Sequence, residues 1–312
     1  MLPKTTNITK QLGCAWICSF LLVVSAHGQS ELNLRGVIDF HVHSSPDSAE
    51  RAIDADDLAR IAKEKGMRGL VLKSHYNSTA ALAYMVRKEV PGIEIFGGIT
   101  QDLPNGGINI EAVKRMIMMK GGWGRVVWLP TFDAEDDVKK SKEKRPFVPV
   151  SKDGHLLPNV LELIDFIAQH HQIVLETGHI SAEEGVMVVH EAHLRGVTHI
   201  VVTHAMSNFI NMTIPQMQQA ARDGAYIEFV YSGVISPGWH TMSQYAEAID
   251  EVGPKFCIVA SDFGSVGHDP PRPLHPQGLL DFMNGLHKEG ISVADINLMT
   301  KTNPALALGL TP

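Results

Sequence analysis

From residue 36 onward, short runs rich in valine and isoleucine alternate with longer stretches whose apolar residues recur at helical spacing. The predicted strands are 37–43, 68–74, 93–99, 124–130, 172–177, 198–204, 225–230 and 256–262, and the predicted helices are 54–65, 78–89, 111–120, 160–171, 182–195, 215–222, 242–252 and 278–288. Nearly continuous apolar strands are typical of a parallel sheet covered by helices. Eight strand and helix pairs predict a closed (β/α)8 TIM barrel of the α/β class.

An open, doubly wound sheet is the alternative architecture. Such sheets usually carry a glycine-rich phosphate loop after the first strand, and the sequence there is Phe-His-Val-His-Ser-Ser-Pro. Local signals support the helix boundaries of the barrel. Ser181 and Glu184 form a predicted capping box, Asp54 begins the first helix, and Gly66 and Gly196 stand where left-handed C-terminal caps are expected.

Two connections are longer than ordinary barrel loops. Residues 131–158 follow the fourth strand and residues 263–276 follow the eighth, so both lie at the carboxyl ends of strands, where barrel enzymes place their chemistry. We therefore expect lids over a site. For the lysine-rich part of the first connection, a solvated insertion is an equal alternative.

The N-terminus resembles a secretory signal. Lys4 and Lys10 precede an apolar run, Cys14–Ala26, that is too short to span a bilayer and is followed by small residues. We expect cleavage after Ala26 or Gly28 and export to the periplasm or the medium, with an uncleaved anchor as the alternative. The predicted organisation is a signal peptide at 1–28 and a single barrel domain at 29–312.

Composition narrows the choice of partners. Removing the signal leaves Cys257 alone, so no disulfide framework is expected, and a 44% hydrophobic content suffices for one large core. The net charge of −7 gives no basic footprint for nucleic acid or for an anionic membrane. A small-molecule substrate is therefore the expected partner, and the sequence leaves the oligomeric state, including a homo-oligomer, open.

Four predicted strands end in metal-ligand side chains. His41 and His43 are two residues apart on the first strand, so both point the same way. His179 follows the fifth strand, and His204 and Asp262 end the sixth and eighth strands. Imidazole and carboxylate groups from several strand ends suit a catalytic divalent metal with an open position for water. As isolated residues, these histidines would more often be ordinary polar residues at strand ends.

These residues resemble the amidohydrolase superfamily of metal-dependent hydrolases, in a poorly characterised branch. The resemblance runs from Asp-Phe-His-Val-His, through His179 and His204, to Ser-Asp-Phe-Gly at 261–264 and a final Asn303-Pro304 helix. It implies that His41, His43, His179 and His204 are metal ligands. It also implies that Asp262 is both a ligand and the general base that handles the proton of the attacking water. Zinc is the preferred metal, since imidazole-rich sites with one carboxylate favour it.

The sequence departs from binuclear members of this superfamily at the fourth strand. Such members place a carboxylated lysine or a glutamate there, and Gly-Arg-Val-Val-Trp-Leu-Pro supplies neither. Glu176, Lys73 and Asp133 are the alternative bridging groups, and for Lys73 a structural or substrate-binding ammonium is preferred to carbamylation. We expect one metal per chain, with two as the alternative and Glu176 as the added ligand.

Further side chains stand at the same face. His75 could polarise a substrate carbonyl or stabilise an oxyanion, or it could be an ordinary loop histidine. Asp39 is expected on the face of His41, one layer deeper, and Asp47 and Arg51 could meet substrate or pair with each other. Trp128, Phe132, Trp239 and Phe263 could line a pocket, although packing in the core is the default for such residues.

The resulting hypothesis is a hydrolase that cleaves an amide, cyclic amide, ester or lactone bond with a metal-activated water. A metal-dependent decarboxylase on the same fold would have the same site in sequence. A phosphoesterase also opens with His-x-His, but the candidate phosphate-binding cations are only Lys73, Arg51 and Arg272. A non-enzymatic metal or ligand carrier is the remaining alternative.

Overall fold

The structure is a computed structural model that describes Met1, Pro3 and residues 32–267 and 275–312. The predicted signal segment, apart from Met1 and Pro3, and Arg272 lie outside the described residues. Residues 32–312 belong to one compact unit. Its barrel strands are β1 (Ile38–Val42), β2 (Gly69–Leu72), β3 (Glu94–Thr100), β4 (Gly124–Trp128), β7 (Val174–Glu176), β8 (Ile200–Val202), β9 (Tyr226–Val230) and β10 (Cys257–Ala260), and a hairpin of β5 (Ser151–Lys152) and β6 (His155–Leu156) follows β4.

The helices lie between these strands. They are α1 (Ala55–Glu64), α2 (Ala80–Glu89), α3 (Ile110–Ile117), α4 (Glu135–Ser141), α5 (Pro158–Ala168), α6 (Ala182–Leu194), α7 (Ile214–Arg222), α8 (Tyr231–Ile235), α9 (Met242–Val252), α10 (Gln277–Lys288), α11 (Val293–Asn297) and α12 (Asn303–Ala307). Every predicted strand and helix is present. Among the described residues, the helices are all too short or too polar to cross a membrane.

The eight barrel strands are parallel and neighbour one another in chain order, and the first and last of them meet. The Asp262 N–H donates to the His41 carbonyl at 2.9 Å, and the His43 N–H donates to the Phe263 carbonyl at 2.7 Å. This seam closes the sheet into a (β/α)8 barrel and confirms the predicted fold.

The strands are apolar on both faces because each face is covered. An inner core fills the barrel and includes Ile38, Phe40, Phe96, Trp128 and Ile258, while an outer core lies between strands and helices. Trp128 is fully buried and packs in the inner core, whereas Phe263 is also buried but lines a small cavity together with His43 and His275.

The register of β1 against β2 shifts between Asp39 and Val42, as at a β-bulge. Ile38 and Phe40 both pack in the inner core, as regular alternation requires, so Asp39 between them faces the other side of the sheet. The shift interrupts the alternation before His41, whose Nδ1 meets Glu228 in the barrel interior. Asp39 instead accepts a hydrogen bond from the Ser261 N–H at 3.0 Å and pairs with His275 at 2.8 Å. The prediction that Asp39 lies one layer beneath His41 on the same face is wrong for this reason.

Most of the predicted helix-capping interactions are present in the structure. The Ser181 hydroxyl accepts from the Glu184 N–H at 3.2 Å while the Glu184 carboxylate accepts from the Ser181 N–H at 3.1 Å, a complete capping box. Gly66 and Gly196 have φ values of 78° and 81° and end their helices as expected. Asp54 precedes α1, but its side chain makes no capping hydrogen bond.

Candidate metal centre

Three of the predicted ligands meet at the barrel seam. The ligand atoms of His41, His43 and Asp262 all lie within 4.8 Å of one another. The Nε2 atoms of both histidines are 3.3 Å from the same carboxylate oxygen, Asp262 Oδ1. Both imidazoles are almost completely buried, and the Asp262 side chain is 20% exposed. Asp262 is therefore the member of this group that is accessible to solvent from the carboxyl face of the barrel.

Hydrogen bonds on the far side of each imidazole decide which nitrogen carries a proton. The His43 Nδ1 lies 3.0 Å from the Lys73 carbonyl oxygen, which can only accept, so this nitrogen carries the hydrogen. The His41 Nδ1 lies 3.1 Å from Glu228 Oε2, which also accepts the His204 N–H at 2.9 Å. Both Nε2 atoms consequently present lone pairs to a carboxylate oxygen.

Three electron-pair donors thus converge without a hydrogen between them. Such an arrangement is repulsive unless a cation lies among the three atoms, and the donor set of two neutral imidazoles and one carboxylate is that of a catalytic zinc site. The residues therefore fit a divalent metal. Burial lowers the pKa of His41 and of His43 to about 4, so both imidazoles are neutral and able to bind at neutral pH.

The backbone at two of the strand ends adopts an uncommon conformation. Asp262 has a φ of 54° and His204 a φ of 25°, both in the left-handed region that non-glycine residues seldom occupy. Gly264 follows with a φ of 115°, and a Cβ there would lie 1.8 Å from the His43 carbonyl oxygen. Strained backbone of this kind concentrates at functional sites because the surrounding fold holds it in place.

His179 and His204 lie beside the group of His41, His43 and Asp262 but do not belong to it. The His204 ring centroid is 5.5 Å from that of His41 and 4.9 Å from that of His179. The buried His204 Nδ1 has no hydrogen-bond partner among the described residues, whereas the His179 Nδ1 is 3.1 Å from Asp137 Oδ2. Burial holds the pKa of both imidazoles well below its usual range, so both are neutral.

Glu176 and Lys73 lie in the barrel interior, together with Glu228. The Thr203 hydroxyl donates to Glu176 Oε2 at 2.8 Å. Among the described residues, Glu176 Oε1, Glu228 Oε1 and Lys73 Nζ have no hydrogen-bond partner, although all are buried. Burial raises the pKa of Glu176 and of Glu228 and lowers that of Lys73. Burial therefore favours the neutral form of each of these three interior groups.

Asp133, the third alternative bridge, is engaged elsewhere. Its Oδ2 accepts the Leu103 N–H at 2.8 Å, and its Oδ1 pairs with the Arg145 guanidinium. Asp47 and Arg51 pair with each other at 2.7 Å, the second of the two roles that the sequence left open for them.

His75 is part of a buried hydrogen-bonded chain. Its Nδ1 lies 2.7 Å from the Thr131 hydroxyl, and that hydroxyl makes a short hydrogen bond to Asp102 Oδ2. The Asp102 carboxylate also accepts the Thr131 N–H at 2.7 Å. An ionised Asp102 takes the only hydroxyl hydrogen of Thr131, so the His75 Nδ1 must donate. The His75 Nε2 is then an acceptor, a pattern that favours proton acceptance over oxyanion stabilisation.

Three acidic residues of this site were not predicted from the sequence. Glu228 stands inside the apolar strand Tyr-Ile-Glu-Phe-Val, and a carboxylate in such a strand is a recognisable signal. Asp102 follows β3 and could have been found by the strand-end rule. Asp137 gave no such signal, because its charged neighbours on α4 are those of a solvated helix.

Residues 36–228 match the sequence family DUF6282, which is described as a family of unknown function. The chain belongs to this family. No curated protein matches the chain.

Solved structures of low sequence identity share the fold. They include an organophosphorus hydrolase from Deinococcus radiodurans (TM-score 0.58, 15% identity, covering 90% of this chain and 100% of that one) and a zinc-bound amidohydrolase from Burkholderia multivorans (0.56, 12%, 88% and 99%). A third comes from work that engineered organophosphate hydrolysis from a weak promiscuous lactonase (0.60, 14%, 89% and 98%). This likeness confirms the (β/α)8 barrel fold that the sequence of this DUF6282 chain predicts.

Proposed function

We propose that this DUF6282 protein is a metal-dependent hydrolase of small molecules. The convergence of the His41 and His43 lone pairs on Asp262 Oδ1 is the observation that carries the proposal. The site lies at the carboxyl ends of the strands, where barrel enzymes bind substrate. Neighbours on the same fold that are named as hydrolases, one with bound zinc, support the same class of chemistry.

The chain supplies both ligands and proton acceptors. A bound divalent cation would supply an activated water and polarise the scissile carbonyl. Asp262 accepts a hydrogen bond from the Ser232 hydroxyl at Oδ2, 2.6 Å away, while Oδ1 faces the imidazoles. Burial tends to raise the pKa of Asp262, but positive charge at His41 and His43 attracts the carboxylate and holds this pKa well below its usual range. An ionised Asp262 can take the water proton and deliver it to the leaving group.

His75 supplies a second acceptor on the same face. Its ring centroid is 5.1 Å from that of His43, and its Nε2 carries a lone pair. We assign to it the acceptance or orientation of a proton on the substrate side. An ester, lactone, amide or cyclic amide suits the arrangement, since each presents a carbonyl to the site.

The proposed metal content is one divalent ion per chain, with zinc preferred. His204 and His179 are the adjoining imidazoles that would complete the coordination after small side-chain movements. The Lys73 ammonium already provides positive charge beside Glu176 and Glu228, which reduces the need for a second ion.

Elemental analysis should find one metal in the parent protein and one in Glu176→Gln. Two metals in the parent and one in Glu176→Gln would instead make Glu176 a bridge.

The decisive experiment removes the two β1 imidazoles. A His41→Ala/His43→Ala variant should lose both its metal and hydrolysis of a panel of esters, lactones and amides. A matched His155→Ala/His190→Ala variant removes two exposed histidines and should keep both properties. Unchanged metal content in the first variant would refute the proposal.

We also propose that the protein is exported, with a signal removed near residues 26–28. Support comes from Lys4, Lys10, the apolar run and the small residues after it. Mass spectrometry of protein isolated from its native host should find a mature N-terminus at residue 27 or 29. An intact Met1 would contradict the proposal.

A further inference from the structure

Four aromatic side chains surround the histidine cluster and form what we call the aromatic rim: Tyr76, Phe132, Phe209 and Trp239. The Phe132 ring stacks on His75 with centroids 3.8 Å apart, and its centroid is 5.5 Å from that of His179. The Phe209 centroid is 4.6 Å from that of His179 and 5.8 Å from that of Trp239. Tyr76 lies 6.4 Å from Phe132 by the same measure.

The rim comes from four different connections. Tyr76 follows β2, Phe132 follows β4, Phe209 follows β8, and Trp239 follows α8. Phe132 is 42% exposed although it packs on a buried histidine. A large apolar ring that stays exposed beside a polar site is available to a ligand, because burial against substrate removes its remaining apolar surface from water.

Helix α4 fixes part of the rim. The Lys140 ammonium donates to the Phe209 carbonyl oxygen, and Asp137, one turn earlier on the same helix, meets the His179 Nδ1 at 3.1 Å. The first contact ties the connection after β4 to the connection after β8, and the second ties it to the connection after β7. Phe209 is thus held against His179 and His204 before any substrate arrives.

The charges around this face disfavour an anionic substrate. Arg51 is paired with Asp47 at 2.7 Å, and Arg145 is paired with both Asp133 and Glu143. Lys73 lies inside the barrel, 1% exposed, where it faces carboxyl groups of the chain itself. A carboxylate or phosphate on the substrate would therefore compete with existing acidic partners for Arg51 and Arg145, and it would have to enter the barrel interior to reach Lys73.

We propose that the site takes uncharged esters or lactones that carry an aromatic ring, and that this ring stacks on Phe132 and Phe209. The identity of the cleaved bond rests on the proposed hydrolase function. The recognition of the ring rests only on the aromatic rim. Stacked or edge-to-face ring pairs favour an aromatic group over a saturated group of equal size, and the expected preference is about fivefold.

The binding test uses product-like alcohols, so that it needs no turnover. Zinc-loaded protein is titrated with benzyl alcohol and with cyclohexylmethanol, which have nearly the same size, and binding is followed by NMR. Benzyl alcohol should bind about fivefold more tightly. Phe132→Leu and Phe209→Leu should remove this preference. Phe147→Leu is the matched control, because Phe147 lies in the same connection and is 38% exposed.

The kinetic test compares benzyl acetate with cyclohexylmethyl acetate, whose leaving alcohols are of similar basicity. The preference should appear in kcat/KM and vanish in Phe132→Leu. Equal kcat/KM values with intact hydrolysis would overturn the inference and leave the hydrolase function standing. Ring-selective binding without hydrolysis of either ester would refute the function and support the ring site. Tighter binding of 4-carboxybenzyl alcohol than of benzyl alcohol would overturn the uncharged class.

Discussion

At the residue scale, Asp262 combines two roles on two oxygen atoms. Oδ1 faces the Nε2 atoms of His41 and His43, and Oδ2 accepts from the Ser232 hydroxyl. Its left-handed φ of 54° turns the carboxylate back toward β1 across the seam. Asparagine tolerates this conformation nearly as well as aspartate does. The amide variant is therefore the right substitution for separating folding from chemistry.

We expect Asp262→Asn to fold, to keep most of its metal, and to lose hydrolysis by roughly 10²-fold or more, because an amide oxygen can approach a cation but cannot take a proton. The turnover number and the metal content of the same preparation measure the two effects. Activity within about threefold of the parent would remove Asp262 from the role of base.

Thr131 is a positioning residue, since it acts on substrate only through His75. Thr131→Val keeps the shape of the side chain but removes the hydroxyl hydrogen bonds to His75 and Asp102. We therefore expect kcat to fall by about tenfold or more. Thr131→Ser restores the hydroxyl and should recover most of the rate. Nitrogen NMR of His75 should show hydrogen on Nδ1 in the parent and in Thr131→Ser, and a mixture of tautomers in Thr131→Val. Equal rates for the two variants would exclude the positioning role.

At the element scale, the sequence predicted the barrel well because each strand and helix carries its own signal. The apolar runs of β4 and β9 identify these segments as strands without information about the neighbouring strands. The Ser181 capping box likewise can be recognised from four consecutive residues. The shifted register of β1 could not be read this way, since it depends on pairing with β2. This is why Asp39 was assigned to the wrong face.

The same distinction separates the predicted from the missed site residues. His41, His43 and Asp262 could be found because each ends a strand, and the fold brings strand ends together. Asp137 could not, because its contact with His179 depends on how the connection after β4 folds back over the barrel. The aromatic rim depends on the same packing, and only Phe132 and Trp239 were foreseen as wall residues.

Substitution of Gly178 tests how closely the connections after β4 and β7 must approach each other. Gly178, just before His179, has a φ of 65°, and a Cβ there would lie 2.3 Å from the Leu129 carbonyl oxygen. We expect Gly178→Ala to lower the free energy of unfolding by about 3 kcal/mol through steric overlap and left-handed backbone strain. Gly196→Ala has a similar φ of 81° with open space around it, and should cost only about 1 kcal/mol. Urea unfolding of both variants measures the difference, and equal losses would contradict the steric explanation.

At the scale of the whole molecule, the buried histidines make the metal-free protein sensitive to acid. Burial lowers the native pKa of His41 and of His43 from the usual 6.5 to about 4, and it holds the pKa of His75, His179 and His204 well below 6.5. Between pH 6.5 and 4.5 the unfolded chain therefore binds protons that the native protein does not, so stability falls as the pH falls. Four carboxyl groups with raised pKa values act in the opposite direction, namely Glu176 and Glu228 at about 8 and Asp102 and Asp137 at about 6. Five imidazoles outweigh these four carboxyl groups.

We expect the free energy of unfolding of chelator-treated protein to decrease over this range by roughly 1.4 kcal/mol per pH unit for each net proton. Urea denaturation at a series of pH values measures it. A His75→Gln variant loses one of the five imidazoles and should show a shallower slope. Stability that is constant from pH 6.5 to 4.5 would mean that the imidazoles are not held neutral in the native protein.

The seam between β1 and β10 has a consequence for the order of events during biogenesis. His41 lies in the first barrel strand and His43 directly follows it, whereas Asp262 follows the last strand, so a growing polypeptide contains the two imidazoles long before the carboxylate has been synthesised. A nascent or partly folded chain therefore has no complete cation-binding group. Metal loading must follow closure of the barrel, and metal affinity reports whether the two ends of the sheet have joined.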